Sequence, residues 1–327
     1  MDGKELLTVK NLSVEFQTGK GRIEVIDRVN FKIKAGKTLG VVGESGCGKS
    51  VTASSIMRLL PHPYGEVTSG EVFFHGEDLL TKPVEDMYKI RGGKISMIFQ
   101  EPMTAMNPVQ VAGKQIKEVL DLHRNELTKD LIDQEIIKIL QDVEMPSPEV
   151  RVKNYPFQLS GGMRQRMMIA MALAGEPDIL IADEPTTALD VTVQAQILKL
   201  IKTLQEKNNM GVLFITHDMG VVAEVSDDVV VMYAGQIVES GDVETIFLKP
   251  KHPYTKGLIS SMPHLETEPK THLPSIKGNV PTPSAYPETC RFANRCDYVT
   301  DKCRENTPTL DQVKDGHYVR CFRVGEI

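Results

Sequence analysis

The sequence has no tryptophan, only 6% aromatic residues, and no apolar run near the ~18–20 residues that a membrane span requires. A spanning segment is therefore excluded as the route to any membrane role, which would have to come through partners. The N-terminal stretch MDGKELLTVK is polar from its first residues and has no hydrophobic core of a secretory signal. The chain is accordingly expected to be cytosolic. There is little excess charge of either sign. A formal −6 over 327 residues gives no global attraction to nucleic acid or anionic lipid. Cysteine is scarce, with five in all, but four of them crowd into the last forty residues, which in a reducing compartment points to a metal or cluster more than to disulfides.

What is present has the size and texture of one large α/β domain with a smaller appendage. From Leu6 to Phe74, strand-like runs (LTVKNLSVEF, IEVIDRVNFKI, GEVFFHG) alternate with turn signals. The run Leu39-Gly40-Val41-Val42 reads as a buried strand. It is followed by a glycine-rich turn and then VTASSIMRLL, a helix ended by Pro61. Between Gln115 and Val143 the apolar period turns helical (Ile116, Val119, Leu120; Ile136, Ile137, Leu140), marking an inserted helical subdomain over about residues 101–175. Strand runs return at ILIA (179–182), VLFIT (212–216) and VVVMY (229–233), with a helical stretch VTVQAQILKLIKTLQEK between the first two. That order predicts a parallel sheet with crossovers. Nine of the 19 prolines lie in residues 250–327, so the expected division is a domain over 1–250 and a Pro-rich one over 251–327.

The most specific motif is Gly43-Glu44-Ser45-Gly46-Cys47-Gly48-Lys49-Ser50, which fits G-x-x-x-x-G-K-[ST] after a strand and before a helix. Its glycines let successive backbone N–H groups turn inward around phosphates, and the helix N-terminus adds a positive dipole end. Lys49 supplies a point charge to the β- and γ-phosphates, and the Ser50 hydroxyl can ligate Mg²⁺. The expected nucleotide-lining set is thus Gly43, Ser45, Gly46, Cys47, Gly48, Lys49, Ser50 and Val51, with Cys47 a small filler rather than a reactive group. A glycine turn without a ligand is the plainer alternative, and the flanking strand and helix argue against it. A second element, Ile179-Leu180-Ile181-Ala182-Asp183-Glu184, ends an apolar strand in two carboxylates at the carboxyl edge of the sheet, where α/β ligands bind. Asp183 would hold Mg²⁺, and Glu184 would polarise an attacking water.

Leu159-Ser160-Gly161-Gly162-Met163, followed by Arg164-Gln165-Arg166, resembles the ABC signature, with Met163 where that family usually has Gln. Further elements follow the family order. Gln100 ends ISMIFQ and would reach the Mg²⁺. Thr187-Ala188-Leu189-Asp190 resembles the D-loop, His217 closes VLFIT as the switch histidine, and Phe16 matches the aromatic that stacks on adenine. The resemblance spans residues 1 to about 250. It implies an ABC-type P-loop ATPase fold with a mixed sheet core, an antiparallel β subdomain and an inserted helical subdomain. It also implies a head-to-tail pair in which Ser160, Gly161 and Gly162 bind the γ-phosphate of the partner's ATP. Two stretches, QEPMTAMNPVQVAGKQI after Gln100 and Lys251-His252-Pro253-Tyr254-Thr255-Lys256, resemble ATPase subunits of bacterial oligopeptide and dipeptide importers, as does the ending CRFANRC. That likeness implies ATP-driven import of short peptides at the cytoplasmic face of the membrane. The partners would be a second, paralogous ATPase subunit, two permeases and an extracytoplasmic binding protein. A nickel importer and a soluble ABC ATPase of repair or translation remain as alternatives. The latter is disfavoured by the single cassette and the lack of a coiled-coil insertion.

Cys290, Cys296, Cys303 and Cys321, spaced C-x5-C-x6-C-x17-C, are expected to ligate a [4Fe–4S] cluster in a small C-terminal extension. Zinc is the rival, although structural zinc sites usually show close C-x₂₋₄-C pairs. Arg291, Arg295, Arg304 and Arg320 would then offset cluster charge, with a solvated face as the alternative. A covalent or metal staple is expected to order this Pro-rich tail.

Overall fold

A computed structural model describes residues 3–19, 21–187, 189–262 and 274–327. Ala188 of the D-loop-like run therefore lies outside the described residues, as does 263–273 of the tail. The chain forms two compact bodies. One comprises Leu7–Ile33, Thr38–Leu80 and Phe214–Ile327, and the other Met1–Leu6, Lys34–Lys37 and Thr81–Leu213.

The early strand runs become long strands Glu5–Thr18 and Gly21–Lys34, joined by Gly65–Phe74 and Glu77–Asp78 in one four-stranded sheet. Glu5–Thr18 and Gly65–Phe74 run antiparallel, with Leu7 opposite Phe74 and Phe16 opposite Gly65. Alternation explains the pairing: Leu7 and Val9 on one strand and Val72 and Phe74 on the other turn inward. A second, mixed sheet pairs Thr38–Val42 in parallel with Asp228–Tyr233, which in turn runs antiparallel to Gln236–Asp242. All five residues of Thr38–Val42 are buried, as a strand covered on both faces must be.

Two differences from expectation have local causes. The helix after the glycine loop spans Lys49–Ile56, ending short of Pro61. Arg58 adopts a left-handed φ of 51° and sends its guanidinium to the Leu79 carbonyl at 3.2 Å. The tail, expected to lack periodic core, in fact extends the mixed sheet. Its short strands Asp311–Lys314 and His317–Val319 form a hairpin, and Val319 pairs with Glu239 on the strand Gln236–Asp242. Phe292 is buried in one cluster with Val42, Tyr233, Ala234 and Tyr254, so tail and sheet share a core.

In the second body Ile95–Ile98 pairs in parallel with Ile179–Asp183. The helical insertion resolves into Ala112–His123 and Lys129–Asp142, whose inward stripes (Ile116, Leu120; Ile132, Ile136, Ile139, Leu140) follow the 3.6-residue period, and Gly161–Leu173. The helix Val191–Asn208 begins at an Asp190 N-cap and ends at Asn209, which takes the left-handed C-cap position.

Candidate functional site

The phosphate loop lies in the first body. Gly46 and Gly48 hold left-handed backbone, at φ 81° and 107°, and Gly48 is the N-cap of the helix Lys49–Ile56. A Cβ on Gly48 would meet only the movable tip of Ile26, Cδ1 at 2.4 Å, so it is the left-handed dihedral more than space that reserves the position for glycine. The Lys49 side chain folds back into the loop, its ammonium donating to the Gly43 carbonyl at 2.7 Å and the Glu44 carbonyl at 3.2 Å. A third contact runs to Cys47 Sγ at 3.9 Å, and Lys49 is only 5% exposed, so a buried cation rests here on two carbonyls and a thiol, an arrangement suited to receiving an anion. Cys47 is buried, and burial pushes its thiol up from its usual range, which fits an inert filler. Its carbonyl accepts from Gly235 N–H at 2.9 Å. Ser45, Gly46 and Ser50 are exposed and Val51 half-buried. Phe16 is half-buried on the antiparallel sheet beside Gly65, and His217 is exposed at the end of the strand Gly211–Thr216.

The second body brings together residues 84 apart. Gln100 donates its Nε2 to Glu184 Oε2 at 3.0 Å, and the Thr187 hydroxyl donates to the same oxygen at 2.9 Å. Glu184 follows the buried strand Ile179–Asp183 and takes a left-handed φ of 47°, uncommon for a residue with a long side chain. Asp183 and Glu184 are both largely buried. Thr187 was not among the expected active residues. The signals in the sequence are its place three positions after Glu184 and at the head of the D-loop-like run.

Ser160 caps the helix Gly161–Leu173, its hydroxyl accepting from the Met163 N–H at 3.4 Å. Ser160 and Gly161 are exposed and Gly162 half-buried, so the start of this 13-residue helix is open to solvent. Asp190 is likewise exposed, its carboxylate capping the next helix by accepting from Val193 N–H at 3.0 Å.

All four tail cysteines line a single small cavity, together with Phe292, Tyr298 and Phe322. Tyr298 and Arg323 each donate a backbone N–H at 3.4 Å to the sulphur two residues earlier, Cys296 and Cys321. The expectation of a formed [4Fe–4S] ligand set is nevertheless not met. Among the described residues no group of three or more His, Cys, Asp or Glu is placed to hold a metal. Burial pushes the Cys290 thiol up to about 11 and raises Cys296 and Cys321, which favours the protonated form of these three sulphurs. Three of the four arginines expected to offset cluster charge have other partners, and Arg304 is exposed. Arg291 pairs with Glu24 and Asp27, Arg295 with Glu44, and Arg320 donates to the Ile237 and Pro308 carbonyls.

A glycine cradle between a buried strand and a helix, with a buried lysine turned into it, defines a phosphate-loop ATPase. Residues 26–187 match the ABC transporter family, and residues 238–303 match the oligopeptide/dipeptide transporter C-terminal region. The chain is 50% identical to the oligopeptide transport ATP-binding protein OppD of Bacillus subtilis, over 97% of its own length and 88% of that protein's. It is 48% identical to the dipeptide transport ATP-binding protein DppD of the same organism, over 98% and 95%. The dimeric structure of MJ0796, a bacterial ABC transporter cassette, superposes with a TM-score of 0.65 at 28% identity, covering 73% of this chain and 99% of that one. The chain belongs to the ABC transporter family of ATPases, in its oligopeptide/dipeptide branch.

Proposed function

We propose that this chain is the ATP-hydrolysing subunit that powers import of oligopeptides or dipeptides, and that it works at the cytoplasmic face of a membrane. The observation that carries the ATPase half is the Lys49 ammonium held on carbonyls inside the glycine cradle. The cargo rests on near full-length likeness to peptide-transport subunits. No helix among the described residues is long and apolar enough to cross a membrane. Two permeases would supply the path, an extracytoplasmic binding protein the selection, and a paralogous ATPase subunit the second cassette. We keep the organisation as an ATPase domain over 1–250, with its helical subdomain over about 101–175, and a C-terminal domain over 251–327.

Within that reading the loop Gly43–Val51 cradles the phosphates and Phe16 stacks on adenine. Ser50, Asp183 and Gln100 would hold Mg²⁺, which offsets charge on the phosphates when bound. Glu184 accepts a proton from the attacking water as its oxygen bonds to the γ-phosphorus and the bond to ADP breaks. Gln100 and Thr187 fix the Glu184 carboxylate, and His217 contacts the γ-phosphate. Ser160, Gly161, Gly162 and Asp190 serve the partner cassette's nucleotide. Glu184→Gln keeps the shape and loses the base. Hydrolysis should slow about 100-fold or more while ATP binding persists. Wild-type turnover by the variant in the assembled transporter would remove Glu184 from that role.

We also retain the four tail cysteines as a metal site, a [4Fe–4S] cluster before zinc, with a structural role. What supports it is the convergence of all four on one cavity and the N–H donors aimed at two sulphurs. Forming such a site would require the thiols to lose protons and close inward. Anaerobically purified chain should be brown with about four irons per chain. A colourless chain with one zinc would replace the cluster by zinc, and one with neither metal would end the proposal.

A further inference from the structure

We propose that Tyr254 and Arg295 are positioning residues for ATP binding, through which the C-terminal extension grips Glu44 and sets the shape of the phosphate loop. This rests on the reading of Gly43–Ser50 as the ATP phosphate loop.

The grip has two parts, both within the first body. Arg295 meets the Glu44 carboxylate with a two-pronged fork, Nη1 to Oε2 at 2.7 Å and Nη2 to Oε1 at 3.1 Å. Two more of its donors hold the tail itself, Nε to the Lys277 carbonyl at 2.8 Å and Nη2 to the Gly278 carbonyl at 3.1 Å. The Arg295 side chain is only 5% exposed, so this is not a loose surface ion pair. The second part holds backbone. Glu44 N–H donates to the Tyr254 hydroxyl at 2.9 Å, and that ring is fully buried against Tyr233 and Phe292.

Position in the loop gives these contacts their consequence. Glu44 N–H and the Gly43 carbonyl belong to one peptide plane, and that carbonyl is where the Lys49 ammonium rests. A hydroxyl that fixes one edge of the plane therefore fixes the lysine on the other edge. The Glu44 carbonyl is occupied as well, by Lys49 and by Cys47 N–H at 3.3 Å. Every polar handle of Glu44 is thus engaged, two of them by residues beyond 250. A loop held in its binding shape loses less freedom when phosphate arrives, so loosening the grip weakens binding without touching the hydrolytic carboxylate. If the contacts served only to dock the tail, the variants would change unfolding and leave affinity alone.

The test is a titration of the full-length chain, with Mg²⁺, by a fluorescent ATP analogue, alongside thermal unfolding of the nucleotide-free protein. Tyr254→Phe removes one oxygen and keeps the ring. It should weaken binding about fivefold or more, and Arg295→Gln about tenfold, with Arg295→Lys in between. Because Arg295 acts through Glu44, adding Arg295→Gln to Glu44→Gln should produce no further loss. Affinities within twofold of wild type for both Tyr254→Phe and Arg295→Gln would overturn the proposal. So would an Arg295→Gln effect that persists undiminished in the Glu44→Gln background. Should Arg295→Gln fail to fold, Tyr254→Phe alone decides. Wild-type chain that does not bind the analogue would instead defeat the phosphate-loop reading, and this inference with it.

Discussion

The phosphate loop Gly43–Ser50 and the tail segment Cys290–Cys296 are both irregular backbone held in one body, and they are held by opposite means. The loop has small residues and uses main chain: its carbonyls take Lys49, and its Cys47 carbonyl takes Gly235 N–H. The tail segment uses side chains. Arg291 reaches the Ala234 carbonyl and the carboxylates of Glu24 and Asp27, Phe292 fills the core, and Arg295 forks onto Glu44. A loop that must wrap a ligand has to leave room inside, so beyond Lys49 and Glu44 it carries no large anchors. A segment that only has to stay in place can spend its whole length on them. The loop should therefore fail when atoms are added and the tail when atoms are removed.

The largest expected effect on ATP binding comes from adding an atom to the loop. At Gly43 a Cβ would lie 2.2 Å from the Met232 carbonyl oxygen and 2.8 Å from Cys47 Sγ, and backbone cannot move aside as a side-chain tip can. Gly43→Ala should cost about 3 kcal/mol of stability and abolish measurable ATP binding. Calorimetric titration checks the binding, and a variant that binds normally would show that the loop has slack. The converse experiment empties the tail's anchor. Phe292 is buried and lies edge-on to Tyr233 at 5.1 Å and to Tyr254 at 5.5 Å. Phe292→Ala should cost about 3–4 kcal/mol in denaturant unfolding. A cost below about 1 kcal/mol would mean that the tail is held by its arginines and hairpin alone.

The same contrast explains what could be read from the sequence. The phosphate loop is legible because its chemistry is local: eight consecutive residues fix both the turn and the charge. The carboxylate pair Asp183-Glu184 is legible as a strand end, but its meeting with Gln100 follows only from family order. The hairpin Asp311–Val319 escaped notice because its strands, of four and three residues, are too short to show a period. The Arg295–Glu44 fork joins residues 251 apart, and nothing in either neighbourhood announces the other. Four cysteines at wide spacing were readable as a convergent group, and they do line one cavity. Spacing could not say whether the sulphurs come close enough to bind, because that depends on how the segments between them fold.

The smallest expected effect concerns Asp27, where the tail and the strand Gly21–Lys34 meet through one carboxylate. Burial alone would raise its pKa. Hydrogen bonds from Arg28 at 2.8 Å and Gln236 at 2.7 Å, together with the nearby charge of Arg291, outweigh that and hold it below the usual carboxylate range. A depressed carboxylate contributes stability that is fully present above its unfolded pKa and is lost as pH falls through the folded one. The window therefore opens just below about pH 4. Asp27→Asn keeps the shape but gives up the charge and one acceptor, so it should cost about 1–2 kcal/mol at pH 7. The gap between variant and wild type should narrow as pH drops below about 4, since the wild-type carboxyl then becomes neutral too. Urea unfolding of both proteins at neutral and acid pH checks this. A gap that stays constant across the range would assign Asp27 a role in shape alone. It would also mean that Arg291 is held by Glu24 and the Ala234 carbonyl without help from the buried charge.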